Sequence, residues 1–189
     1  MKKICTFVLA ALMGLALGTA VSCTKDDGGS NGGSNSGSNS GNNSGNNGGN
    51  VNDVWVDLGL QSGTKWKNAN EVNAADARYD FYTYDKAVAT FGDAMPTQEQ
   101  WRELKDNCQW TWSSGGYTVT GPNGDSIVLP AAGCRNCNGS VNLVGIDGHY
   151  WSSTPYGSEG AWILYFNSGS VDMYYSDRCL GYPVRLVQD

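Results

Sequence analysis

Few residues in this chain carry reactive chemistry: its 189 residues include one histidine, His149, and six cysteines. Asp147, His149 and Ser152 lie close enough in sequence for a hydrolytic triad to be written from them. No strained nucleophile turn surrounds Ser152 and no signal for oxyanion donors is present, so a structural histidine is expected and no catalytic residue is assigned. Among the cysteines, Cys5 sits in the apolar N-terminal run and Cys23 at its end, which leaves Cys108, Cys134, Cys137 and Cys179. Four thiolates suit zinc, but four-cysteine zinc sites show two close pairs, and only Cys134-x-x-Cys137 is present. Disulfide chemistry in an oxidising compartment is expected instead, with Cys134 to Cys137, or either of them to Cys179, as the open alternatives. Pro122-Asn123-Gly124-Asp125 offers oxygens of the type calcium takes, yet the same four residues are a turn signal. No metal and no cofactor is expected.

The N-terminal third carries addressing chemistry. Lys2 and Lys3 precede an apolar run from Ile4 to Val21 that ends in small residues, the pattern of a cleaved export signal rather than a membrane span. Ala20-Val21-Ser22-Cys23 resembles the lipobox of bacterial lipoproteins, which implies a signal peptide over 1–22 and a lipid on Cys23. Acyl chains there hold a domain on a bilayer, because each buried methylene contributes about 0.8 kcal/mol. Thr24-Lys25-Asp26-Asp27 resembles the signal that sends lipoproteins of Bacteroidetes-type bacteria to the outer face of the outer membrane. Surface display through a lipid anchor is the expectation. Every residue from Gly28 to Asn50 is Gly, Ser or Asn. With no apolar side chain to bury, 23–50 is expected to be a lipidated, disordered tether, its Gly/Ser/Asn run spanning roughly 25–30 Å.

Residues 51–189 remain, a length that suits one domain, expected to be monomeric. Once Lys2 and Lys3 leave with the signal, 10 basic residues face 18 acidic ones, a net charge of about −8. So acidic a chain has no basic stripe to displace phosphate counterions, and nucleic acid is not an expected partner.

The elements that position these groups follow from period and punctuation. Val54, Val56, Leu58 and Leu60 alternate with polar or small residues as in a strand with one apolar face, and Ser62-Gly63 turns the chain into Thr64-Lys65-Trp66. Tyr79, Phe81, Tyr82 and Tyr84 are expected in or near the core, and Asp85 to Phe91 as a short helix. Thr97 with Gln100 makes a capping box ahead of Trp101, Leu104 and Cys108 at helical spacing, which places the Cys108 thiol on the buried face. Trp110 to Trp112, Tyr117 to Thr120 and Ser126 to Leu129 read as strands between turn signals. His149 to Thr154, Ala161 to Phe166, Val171 to Tyr175 and Pro183 to Val187 read as four more; the second is apolar on both faces and therefore central. Ser176 to Tyr182 is expected to be irregular. The fold class is α+β.

The chain also resembles a known family. Val56-Asp57-Leu58-Gly59-Leu60, Ser62-Gly63-Thr64-Lys65-Trp66, Met95-Pro96-Thr97, Gln100-Trp101, Glu103-Leu104, Asn107-Cys108, Val119 to Gly124, Leu129-Pro130-Ala131-Ala132-Gly133, Tyr150 to Thr154 and Val184-Arg185-Leu186-Val187 resemble the Fibrobacter succinogenes major paralogous domain. That resemblance implies a C-type-lectin-like fold: a small twisted, mostly antiparallel sheet with one or two flanking helices, and a ligand face built from the last strands and loops. It departs from the calcium-dependent sugar binders of this fold, since neither Glu-Pro-Asn, Gln-Pro-Asp nor Trp-Asn-Asp occurs. Cys134 stands where relatives are expected to carry Tyr, so no inherited metal site is implied. The formylglycine-generating branch uses a cysteine pair near the C-terminus that Cys134-x-x-Cys137 matches in neither place nor spacing.

From residues and resemblance together the expected function is a surface-displayed lipoprotein that binds an extracellular protein or glycan. The predicted contacts are Tyr156, Tyr174, Tyr175, Ser176, Asp177, Leu180 and Tyr182, large groups on a segment too rich in Ser and Gly to bury them all. Related domains include targets of diversity-generating retroelements, which mutate adenines near the 3′ end of a gene. Tyr174, Tyr175, Ser176, Asp177, Cys179, Leu180 and Tyr182 all belong to the set that mutated AAC codons reach, so diversification is part of the expectation. The alternatives are a structural surface or pilus-associated subunit and an enzyme related to formylglycine-generating proteins.

Overall fold

In the capping-box segment Thr97 Oγ1 accepts from Gln100 N at 3.2 Å while Gln100 Oε1 accepts from Thr97 N at 2.8 Å, starting a helix at the place the sequence indicates. This geometry comes from a computed structural model that describes residues 54–76 and 79–189. The expected signal peptide, the lipid on Cys23 and the Gly/Ser/Asn tether lie outside the described residues.

Two helices and eleven short strands are present among the described residues: β1 (Trp55–Asp57), β2 (Lys65–Lys67), α1 (Tyr84–Phe91), α2 (Gln98–Asn107), β3 (Gln109–Ser113), β4 (Gly116–Thr120), β5 (Ser126–Pro130), β6 (Cys134–Arg135), β7 (Val141–Asn142), β8 (Gly148–Tyr156), β9 (Gly160–Asn167), β10 (Ser170–Asp177) and β11 (Val187–Gln188). All pairings are antiparallel and form small sheets in the orders β1-β2-β11, β3-β4-β5, β6-β7 and β10-β9-β8. The class is α+β, with mostly antiparallel strands and two helices.

The β10-β9-β8 sheet stands between two cores, because β9 is apolar on both faces. Alternation sends Tyr150, Leu164 and Phe166 to one side, where they meet Trp101 and Leu104 of α2 and Tyr117, Val119, Ile127 and Leu129 of the β3-β4-β5 sheet. The other side carries Trp151, Ala161 and Ile163 against Tyr82, Tyr84, Met95, Leu180, Tyr182 and Val184. Phe166 is fully buried, worth about 2 kcal/mol, and its ring lies against Gly148, where a Cβ would come within 2.0 Å of Phe166 Cζ. Two indole N–H groups find acceptors across the sheet: Trp101 Nε1 donates to Trp151 O at 3.2 Å, and Trp151 Nε1 to Tyr82 O at 2.8 Å.

Three expectations need correction. The first strand stops at Asp57, because Gly59 adopts φ +71°; Leu58 and Leu60 reach the core from a loop instead. Near the C-terminus, Pro183 to Leu186 does not pair as a ladder. Arg185 is 1 % exposed there, and its guanidinium donates to Lys67 O, Asn70 Oδ1 and Val128 O, tying three segments together alongside single backbone bonds from Glu71 N to Val184 O and from Lys67 N to Leu186 O. Finally, β10 runs on through Ser176 and Asp177, although their composition points to irregular chain.

Candidate functional site

At one end of the central sheet Tyr156, Trp162 and Tyr175 lie outside both cores and are partly exposed. Trp162 and Tyr175 are direct cross-strand partners, and Tyr156 pairs with Gly160 two residues from Trp162 on the same face. Tyr156 and Tyr175 stack with centroids 4.1 Å apart at 19°, and both meet the Trp162 ring edge to face at 5.4 and 6.4 Å. Such pairs contribute about 0.5–1.5 kcal/mol each, enough to hold half-exposed rings in one arrangement. Arg102, from α2, places its guanidinium 5.8 Å over Trp162.

Beside the stacked tyrosines is a shallow hollow of about 230 Å³ lined by Tyr156, Gly157, Ser158, Glu159, Gly160, Tyr175 and Asp177. Its floor is a tight turn fixed by Arg178, whose backbone N–H donates to Glu159 O at 3.0 Å and whose guanidinium donates to Gly157 O and Gly160 O, both at 3.2 Å. The same guanidinium lies 4.9 Å over the Tyr84 ring and 3.7 Å from Asp85. Turn, rings and core helix are therefore one connected unit.

Of the seven predicted contact residues, Tyr156, Tyr175 and Asp177 come together here. Tyr174 does not: strand alternation turns it to the opposite face, where it meets Tyr165 edge to face at 5.6 Å. Ser176, Leu180 and Tyr182 are buried at 4, 6 and 0 % exposure, which removes them from any surface contact. Ser176 Oγ and Tyr182 Oη share a hydrogen bond of 2.7 Å, Leu180 N donates to Asp177 O, and Tyr182 bridges to Tyr82 through both backbone groups. The Ser/Gly-rich segment is thus folded back under the sheet rather than displayed on it. Trp162, Glu159 and Arg102 were missed. Trp162 reads as core within an apolar run, and only the β9–β10 register, which sets it opposite Tyr175, reveals its position.

The remaining chemistry-bearing residues do not line the hollow. His149 is fully buried with its ring stacked on Tyr182 at 5.0 Å and 6°. Neither ring nitrogen makes a well-formed hydrogen bond, and burial pushes the imidazole down to about 4, the Gly133 backbone opposing the shift. Ser152 Oγ accepts from Thr154 N instead of facing the imidazole, so no triad assembles. Asp147 accepts from Tyr165 Oη at 3.4 Å, and burial raises its carboxyl. Cys137 is bonded to Cys179. Cys134 lies outside that bond, because β6 turns it into the core while Cys137 sits in the exposed turn beyond. Cys108 is a free, half-buried thiol at the end of α2, pushed up to about 11 by burial and by Glu103. Asn123 turns its amide to Asp57 O and Asp125 Oδ2, closing the tetrapeptide considered for calcium into a hydrogen-bonded turn.

The family model described as a domain of unknown function (DUF8237) matches residues 98–187, from α2 to β11, a span that contains every residue of the ring cluster and the Cys137–Cys179 bond. No curated protein and no solved structure matches the chain.

Proposed function

We propose that this protein is a lipid-anchored binding module of C-type-lectin-like fold, displayed on the cell exterior, that recognises an extracellular protein or glycan. The contact face is the Tyr156, Trp162 and Tyr175 cluster with the adjoining Glu159 and Asp177. One observation carries this reading: three large, partly exposed rings stand packed on one another at one end of the central sheet, outside both cores. Rings that are held rigid before a ligand arrives lose little entropy on contact, which is why Tyr and Trp dominate binding surfaces. The fold reading draws on the α+β class, the small antiparallel sheets and the two helices, which match what the family resemblance implies. Display draws on the lipobox-like Ala20 to Cys23 and on Lys25-Asp26-Asp27. Retroelement diversification is part of this proposal at Tyr174, Tyr175 and Asp177, because Ser176, Leu180 and Tyr182 are core and Cys179 is bonded.

Glycan and protein arrays probed with the full chain, beside a Tyr156→Ala, Tyr175→Ala double variant, test the face. Capture lost in the variant with its melting temperature within a few degrees of the parent supports the reading; equal capture by both overturns it. For the anchor, Cys23→Ala should release the protein from the membrane fraction, and a variant still sedimenting with membranes would refute lipidation there.

A further inference from the structure

The central sheet has two unlike ends. At one of them the 157–160 turn carries Glu159, with Asp177 and Arg178 beside it. At the other, β8 begins at Gly148 opposite Phe166, and three turns come together. A Cβ on Gly115, in the 113–116 turn, would stand 3.4 Å from Gly145 Cα, and Tyr117 Oη donates to Asn167 O, at the 167–170 turn, at 3.0 Å. None of the turns at 113–116, 142–146 and 167–170 contains a charged residue, in a chain with 18 acidic and 12 basic ones.

The middle turn is apolar as well as uncharged. Leu143, Val144 and Ile146 are 37, 51 and 59 % exposed, three large apolar side chains within four residues, whereas Val54, Val72, Val88 and Val128 are exposed singly. The backbone beneath them is fixed. Leu143 O accepts from Ile146 N and Asp147 N, both at 3.0 Å, and Gly145 N donates to Ala131 O at 2.7 Å. Leu143 is held at φ +63°, a conformation that a bulky residue rarely takes. These three N–H groups are bonded inside the protein, which is what apolar surroundings demand of a backbone.

Resting on the lipid-anchor reading above, we infer that this turn touches the bilayer, with Leu143, Val144 and Ile146 set into the boundary between headgroups and acyl chains. A bilayer accepts a small convex apolar point without any matching shape. A second copy does not, because two such turns fall far short of the ~800 Å² per partner that a stable interface buries. Three partly exposed side chains bury less than one acyl chain, whose hold is itself marginal, so the turn orients a domain that the anchor keeps within reach. Reach is ample, since the run from Gly28 to Asn50 extends to at most about 75–85 Å, several times the radius of a domain this size. The consequence is an orientation. β8 runs about 25–30 Å from the apolar turn to Tyr156, so with the turn in the membrane the ring cluster faces away from it.

The test uses the full chain as recovered from the membrane fraction, reconstituted in phosphatidylcholine vesicles that contain a nitroxide-labelled phosphatidylcholine. A fluorophore is placed by Val144→Cys or, at the far end of the sheet, by Ser158→Cys; the half-buried Cys108 thiol, raised to about 11, and the buried Cys134 react slowly by comparison. Lipid should quench the Val144 label at least about threefold more than the Ser158 label, as expected of a group held about 5–10 Å into the interface. Ile146→Asp should bring the Val144 label down to the Ser158 level while the melting temperature stays within a few degrees of the parent. Equal quenching of the two labels, or quenching that survives Ile146→Asp, overturns the inference and leaves the anchor standing. Shielding of the Val144 label from aqueous iodide without quenching by lipid gives the turn to a second copy and overturns it as well. If the parent does not float with the vesicles, the anchor itself falls, and the orientation falls with it.

Discussion

Tyr175 and Tyr182 belong to one short stretch of chain and end in opposite surroundings. Tyr182 is fully buried, its ring between His149 at 5.0 Å and Trp151 at 4.6 Å and its hydroxyl bonded to Ser176 Oγ. Tyr175 is half-exposed, stacked on Tyr156 beside a hollow. The difference arises beyond β10, where the chain turns at Asp177, bridges Arg135 and Tyr82, and carries Leu180 and Tyr182 under the sheet. An aromatic residue is a contact or a core element according to which layer lies over it.

The comparison breaks most visibly at Tyr182. Tyr182→Ala removes a ring packed on both sides and leaves a cavity between His149 and Trp151, a loss of about 3–5 kcal/mol. Tyr182→Phe keeps the ring and strips the Ser176 hydrogen bond, a loss of about 1 kcal/mol. Urea unfolding of the two variants checks this, and an Ala variant within about 1 kcal/mol of the parent would put Tyr182 back on the surface.

The bond that ties the Tyr182 segment down comes next. Cys137–Cys179 spans a sequence separation of 42 and links the turn after β6 to the chain between Asp177 and Tyr182. Replacing both cysteines by Ser should cost about 2–4 kcal/mol by freeing the unfolded chain. Reductant should reproduce that loss in the parent and do nothing to the double variant, and Cys108, its thiol raised to about 11, should not substitute in exchange.

Acid is the third probe, through the imidazole stacked on Tyr182. Its pKa falls from 6.5 in the unfolded chain to about 4 in the fold, so above 6.5 both states are neutral and stability is intact. As pH falls from 6.5 towards 4 the unfolded chain binds a proton that the folded one refuses, and stability drops by up to about 3 kcal/mol. Asp147 acts in the other direction: its raised carboxyl takes a proton in the fold before it does in the unfolded chain, offsetting part of the loss at the acid end. His149→Phe keeps the stack and should flatten the profile between those pH values; an unchanged slope in urea midpoints would assign the acid response to other groups.

How legible the molecule was depended on the range of the signal. The capping box at Thr97 and Gln100, the helix from Tyr84 to Phe91 and the strands on either side of Ser114-Gly115 are written in neighbouring residues, and the structure forms them within a residue or two. The central position of β9 was legible too, because a strand covered on both faces must be apolar at successive positions. What failed was long range. Composition made Ser176 to Tyr182 look like a surface loop, and nothing local announces that Tyr82, Arg135 and His149, from three distant segments, cover it. The candidate site was half legible for the same reason. Tyr156, Tyr175 and Asp177 meet at the hollow, whereas Tyr174, which the Ser/Gly-rich composition of the segment groups with them, lies one residue along β10 and so on the opposite face. Trp162 is not legible because its own run reads as core, and only the pairing of β9 with β10 sets it opposite Tyr175.

The smallest stability change should accompany the largest binding change, and that inversion separates the exposed cluster from the buried tyrosine. Tyr156, Trp162 and Tyr175 hold each other, but none of them belongs to either core. Truncating Tyr175 alone to Ala loses one stack and one edge contact in a half-exposed setting, about 1 kcal/mol or less, because water fills the space instead of a cavity forming. Tyr174→Ala, one residue earlier on the opposite face, removes an edge contact with Tyr165 and should cost a similar amount. The two variants are therefore close in strand position and the same in residue type, and they differ in the face they clear, Tyr174 also packing against the core on its side. Tyr175→Ala should lower ligand affinity by about tenfold or more, the scale of a binding hot spot, while Tyr174→Ala leaves it within about twofold. Equal losses from both would mean that the ligand approaches along the edge of β10 and touches both faces, and the cluster would then be one border of a wider site.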